Sequence, residues 1–269
     1  MPVRFELPAE HPGVALVTID RAERANALDP ETLHALATAW RRIAASPEIR
    51  CAVLTGAGSR VFCAGMDMRL TIPAAQRLAR GETVSPQEFE GLRSVSTALL
   101  AGFDLGTPLV CAINGHARAG GFDLMLAAEL RIAVPEATFA LEEVALGLYP
   151  TGNATVLLPR QIAWVHAFEL LLLARPISAA RALEIGLLNH LVEPAQLLPA
   201  ALGLADTIAA NAPLAVRATR QGVRELLALP LSEAYRRQEE IGRPLRATRD
   251  AAEAQRAFLE KRQPRWRGE

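Results

Sequence analysis

Only three cysteines, Cys51, Cys63 and Cys111, occur among the 269 residues. The number is odd, no C-x-x-C is present and no His pair stands nearby, so neither a disulfide framework nor a structural zinc site is expected. An excess of charge of either sign is also missing. Lys plus Arg and Asp plus Glu are 29 each, and a net charge of zero supplies no global field toward nucleic acid or anionic membrane. No apolar run approaches the roughly 20 residues of a membrane span; the richest is Leu170 to Ala174. Met1 to Glu6 lacks the apolar core of a secretory signal, so a soluble, cytoplasmic protein with no nucleic-acid and no membrane partner is expected. A G-x-S-x-G elbow, a P-loop and an H-E-x-x-H pair are absent too, which leaves no metal site and no nucleophile machinery of those kinds. The histidines are scattered, and only His116 lies beside a candidate site. Apolar residues are plentiful, at 51% against 22% charged. That balance belongs to a folded chain with a sizeable core, as one large domain or one domain with an appendage.

The order of elements points to α/β architecture. Val14 to Ile19 is a β-branched run that reads as a strand, with Asp20 to Arg24 as its exit loop. Asp29-Pro30-Glu31 combines an N-cap acid, proline at the first helical position and a first-turn acid, and starts a helix that runs to about Ala45. Cys51 to Thr55 and Leu109 to Ile113 are short, wholly apolar strands that stop at glycine, the pattern of strands buried on both faces. Gly121 to Ala128 reads as an apolar helix, Leu130 to Val134 as a strand and Thr138 to Ala140 as a short extended piece. Alternating strands and helices imply crossover connections. Residues 69–93, with Pro73, Gly81, Pro86 and Gly91, show the least pattern and read as a flexible segment. Beyond residue 195 four helical runs follow and no strand, which divides the chain into a core at 1–195 and a helical portion at 196–269.

Three places carry residues suited to chemistry. Gly56-Ala-Gly58 opens like a dinucleotide fingerprint, but Val61 stands at the third glycine position and no helix starts there, which argues against that reading. The same stretch ends in Ala64-Gly65-Met66, where a glycine lets backbone approach a ligand, or merely turns the chain. Gly120-Gly121 open a helix whose free N–H groups and positive dipole end suit a developing oxyanion. Asp123, in the first turn of that helix, either joins the site or only favours its helix dipole. Glu142-Glu143 begin a mostly apolar stretch, where an acid is costly unless used or paired. Glu142 reads as a solvated helix-start acid and Glu143 as the candidate. Sequence separation alone does not bring Asp123 and Glu143 together.

Five segments, in order, resemble the enoyl-CoA hydratase/isomerase (crotonase) superfamily across nearly the whole chain. They are Arg21 to Leu28, Gly56 to Asp67, Ala112 to Leu124, Phe139 to Pro150, and Phe258 to Arg262. The resemblance implies a spiral core of repeated ββα units with a C-terminal helical trimerisation region, assembling as a homotrimer or a dimer of trimers. It implies an acyl-CoA thioester as substrate, which itself carries coenzyme A, with no further cofactor. The thioester oxygen would lie between the N–H groups of Met66 and Gly120, and the two hydratase carboxylates would be Asp123 and Glu143. Arg24 and Ala25 would line the nucleotide end, Ala64, Met66 and Met68 the adenine and pantetheine side, and Phe258 with Lys261 a neighbouring subunit's ligand. Tyr149, Leu148, Trp164 and residues 69–93 would shape an acyl pocket; Lys261 also reads as a solvated charge and Met68 as core. The chain departs from the common pattern in two places: Asp123 is one CH₂ shorter than the usual glutamate, and Ala119 replaces a frequent glycine. Asp at 123 resembles the dienoyl-CoA isomerase branch, yet Thr151 stands where that branch carries a further acid. The expected reaction is hydration of a 2-enoyl-CoA. Isomerisation, or hydrolysis and lysis on the same scaffold, and a non-catalytic binding paralogue remain the alternatives.

Overall fold

The computed structural model describes residues 1–269. Strands β1 (Val3–Glu6), β2 (Val14–Ile19), β3 (Cys51–Gly56), β5 (Leu109–Ile113), β7 (Leu130–Ala133) and β10 (His190–Leu191) form one sheet in the order β1-β2-β3-β5-β7-β10. All neighbours are parallel except β1, which runs antiparallel to β2. A second sheet has the order β4-β6-β8-β9, from β4 (Val61–Cys63), β6 (His116–Arg118), β8 (Thr138–Ala140) and β9 (Ile177–Ser178). The chain therefore repeats one step. A strand in the large sheet turns at its C-terminal end into a short strand of the small sheet, as β3 into β4, β5 into β6 and β7 into β8. Helices then carry it back, which is the spiral of ββα units.

Local sequence explains the pieces. β3 and β5 are buried along their whole length, as wholly apolar parallel strands should be. Helix α1 (Pro30–Ala45) starts where Asp29 accepts the Thr32 N–H at 2.8 Å, and its Leu33, Leu36, Trp40 and Ile43 enter the core. Residues 69–93 are not an unpatterned flexible segment. They form α2 (Thr71–Ala79) and α3 (Pro86–Arg93), followed by α4 (Val95–Ala98). Ser85 and Glu88 cap α3 reciprocally, each side chain bonding the other's backbone N–H. The prolines that suggested irregularity sit in first helical turns, where a missing N–H costs nothing, and Gly91 is buried against Pro30 of α1.

Helix α5 (Gly120–Ala127) is buried throughout. It is followed in the chain by α6 (Ala154–Gln161), α7 (Trp164–Leu173), α8 (Ala179–Glu184) and α9 (Leu197–Ala209). Leu197, Ala201, Leu202, Ala205 and Ala209 of α9 belong to the same core as the large sheet, so the helical texture after residue 195 begins with a helix packed on the strands. α10 (Pro213–Leu226), α11 (Leu231–Gly242) and α12 (Arg249–Leu259) bury few residues. Arg220 of α10 ties them to the core through Glu129, at 2.9 Å, and Asp104. The tail returns over α9, with Trp266 Nε1 donating to the Ala210 carbonyl. No single helix is long and apolar enough to cross a membrane.

Candidate active site

Two backbone turns meet at the ends of β4 and β6. After β4 the chain reaches Gly65, whose φ of +86° favours glycine. A Cβ there would lie 2.9 Å from the Ala119 Cβ and 3.0 Å from the Gly120 N, so the absence of a side chain allows the turns to touch. Met66 follows, half-buried and bridged to Leu28. The second turn runs through Ala119, held at φ +44°, into Gly120 at the start of α5. Neither the Met66 N–H nor the Gly120 N–H has a hydrogen-bond partner in the chain. Two free donors carried by touching turns form a site able to hold an oxygen as it gains negative charge.

The Met66 turn is braced from outside. Ala64 N–H donates to Ala25, Leu28 N–H to Gly65 and Asp67 N–H to Leu28. Arg21 bridges Asp29 at 2.9 Å and Asp67 at 3.4 Å, and donates to the Ala27 carbonyl. Asn26, fully buried, donates to the Ala57 and Val61 carbonyls and accepts the Arg21 N–H. Sequence reading gave Arg21, Asn26 and Asp67 no task. An arginine and an asparagine in a loop signal nothing until the fold brings distant carbonyls and acids to them.

Asp123, one turn along α5 from Gly120, is buried. Its Oδ1 accepts the N–H groups of Asn153 at 2.6 Å and Ala154 at 2.7 Å, satisfying donors at the start of α6. Oδ2 accepts none from the chain. Burial pushes this carboxyl up to about 7; the Glu143 charge adds to the rise, while the two N–H groups oppose it. Asp123 is thus more than a first-turn acid facing its own helix end, and it lies within electrostatic reach of Glu143. Glu143 begins a single helical turn, Glu143–Leu146. Burial also raises its pKa, with Glu142 contributing. Its buried Oε2 has no hydrogen-bond partner, an arrangement that costs stability and calls for a functional account. Glu142, expected to be solvated, is half-exposed and pairs with Arg118 at 3.3 Å. That pair links the residue before Glu143 to the strand that leads into Gly120.

The other predicted residues are spread more widely. Ala25 and Ala64 are joined by their hydrogen bond, and Arg24 is exposed beside them. Met68 is 58% exposed, which removes the core reading of that residue. Tyr149, 68% exposed, follows Leu148, whose N–H donates to the Glu143 carbonyl. His116 bonds Thr138 at 2.9 Å. Phe258 is 83% exposed, and Lys261, the chain's single lysine, makes no ion pair; the single chain does not bring either to the two turns.

Comparison with known proteins gives a consistent result. A sequence model described as enoyl-CoA hydratase/isomerase matches residues 9–269. The chain is 41% identical over 249 residues to enoyl-CoA hydratase EchA19 of Mycobacterium tuberculosis, covering 93% of this chain and 91% of that one. It is 38% identical over 273 residues to (E)-benzylidenesuccinyl-CoA hydratase of Thauera aromatica, with both chains covered in full. The crystal structure of an enoyl-CoA hydratase from Bacillus anthracis superposes with a TM-score of 0.89 at 30% identity, over the whole of both chains. The chain belongs to the enoyl-CoA hydratase/isomerase family.

Proposed function

We infer that this protein is an enoyl-CoA hydratase, adding water reversibly and with syn geometry to a 2-enoyl-CoA thioester. The observation that carries the reading is the set of unpaired groups around two touching turns. Two N–H donors, of Met66 and Gly120, have no acceptor, and Glu143 Oε2 has no donor.

The thioester oxygen accepts from Met66 and Gly120. Water held by Glu143 and Asp123 attacks C3 while Glu143 takes one of its protons. The electron pair of the C2–C3 bond moves onto the thioester oxygen, where the two donors stabilise the enolate. Glu143 then returns the proton to C2, so one water is added and the acid is regenerated. Asp123, fixed through Oδ1, offers Oδ2 to the water. Arg24, Ala25, Ala64 and Met68 contact the CoA portion, and Tyr149 borders the acyl group.

The assembly belongs to the same reading. Trp164, Val165, Phe168, Leu172 and Leu173 of α7, and Leu227, Leu231, Tyr235, Phe258 and Leu259 further on, are exposed apolar residues, more than a solvated surface needs. A homotrimer, or two stacked trimers, would cover such surface, and would carry Phe258 and Lys261 to a neighbour's ligand. Incubation with a panel of 2-enoyl- and 3-hydroxyacyl-CoAs, read by mass, tests the function. Gain or loss of one water supports hydration; conversion without mass change means isomerisation, and release of free CoA means hydrolysis.

A further inference from the structure

Gly152 stands between Pro150-Thr151 and the start of α6. Its φ is not in the left-handed region, so the backbone there would accept any L residue, and the need for glycine is one of space. A Cβ built at this position would clash with the Asp123 carboxyl group, closest to Oδ2 and Cγ and 2.7 Å from Oδ1. The Asp123 side chain therefore occupies the volume a side chain at 152 would fill. From there its Oδ1 reaches the N–H groups of Asn153 and Ala154, while the Asn153 Nδ2 donates to the Asp123 carbonyl and to Leu99. Helix α6 is docked by three bonds to Asp123 and one to Leu99.

We propose that Gly152 is a positioning residue: the missing side chain at 152 and the short carboxylate at 123 are a matched pair that ties one Asp123 oxygen to α6 and leaves the other free for water. The inference rests on the hydratase reading for its catalytic consequence, but the contact itself does not. A methyl group at 152 forces the carboxylate to rotate away from both N–H groups. Misplacing a catalytic group by about 1 Å costs on the order of 10²-fold in rate.

The test uses the full-length protein as Gly152→Ala, Asp123→Ala and the double variant. On a confirmed 2-enoyl-CoA, Gly152→Ala should lower kcat about 10²-fold and change KM by less than about threefold. In the Asp123→Ala background it should cost nothing further, because the group it would strike is gone. Amide NMR provides a readout independent of substrate. The Asn153 and Ala154 N–H shifts should follow Asp123 titration in the wild type and lose that dependence in Gly152→Ala. If Gly152→Ala alone fails to fold, recovery of folding in the double variant supports the pairing, and failure of both overturns it. An equal loss of kcat in both backgrounds, or unaltered titration of the two amides, also overturns it. A wild type that hydrates no enoyl-CoA defeats the hydratase reading, while the amide titration still decides the contact.

Discussion

Burial without a hydrogen bond at Glu143 Oε2 is an unfavourable state for a carboxylate, and hydration gives it a task. Glu143→Gln keeps the shape and removes proton transfer. It should lower kcat by roughly 10²–10⁴-fold with little change in acyl-CoA affinity; steady-state kinetics and CoA titration check this. Asp123 makes a prediction about stability. Its carboxyl rises from the usual 3.8 to about 7 on folding, so the folded state retains a proton that the unfolded chain releases between those values. Stability from this group is complete below about pH 4 and is lost as pH rises through about 7. Asp123→Asn keeps an acceptor for the Asn153 and Ala154 N–H groups without the buried charge. Urea unfolding should find it more stable than wild type at pH 8, by a few kcal/mol, and nearly equal at pH 4. The kcat of Asp123→Asn for hydration should nonetheless fall. Glu143 was legible in the sequence as an acid in costly surroundings, and Asp123 as a first-turn acid that either joins the site or favours its helix dipole. The partners of Asp123 were not, since Asn153 lies 30 residues away and only the docking of α6 on α5 joins them.

Between elements, the contact of the β4–α2 turn with the β6–α5 turn determines where the two free donors stand. Gly65→Ala places a methyl group against Ala119 and Gly120 at a φ that alanine adopts with strain. Loss of one oxyanion donor costs about 10²–10³ in kcat, and Gly65→Ala should show a loss of that size with its circular dichroism unchanged. The glycines that carried this site were legible because Ala64-Gly65-Met66 ends a glycine-rich turn and a helix opens on the pair Gly120-Gly121. Helices α2 and α3 were not read, although Ser85-Pro86-Gln87-Glu88 carries a capping signature. Their prolines and Gly91 resemble loop punctuation when no packing partner is known, and Pro30, the partner of Gly91, lies far back along the chain at the start of α1. Ser85→Ala should destabilise the fold by about 1 kcal/mol, measured by urea unfolding, without moving kcat.

For the whole molecule, the alternation of apolar strands and helices is visible in the sequence, whereas the strand order and the short second strand of each ββα step depend on long-range pairing such as β4 with β6; the exposed apolar residues of α7 and α12 bear on the trimer reading. On the trimer reading, truncation before about residue 250 weakens acyl-CoA binding, and Lys261→Ala weakens it more at low salt than at high salt, because the contact is to phosphate. Light scattering and CoA titration on the same samples examine both. A monomeric wild type with full activity would remove the link between assembly and catalysis. The most direct test of the central claim is turnover of a 2-enoyl-CoA in water enriched in heavy oxygen, with the product's position of labelling read by mass spectrometry for wild type and Glu143→Gln. The hydratase account predicts one labelled hydroxyl on C3 with the thioester intact, formed far more slowly by the variant. Label in a free carboxylate, product without label, or equal rates for the two proteins would contradict it.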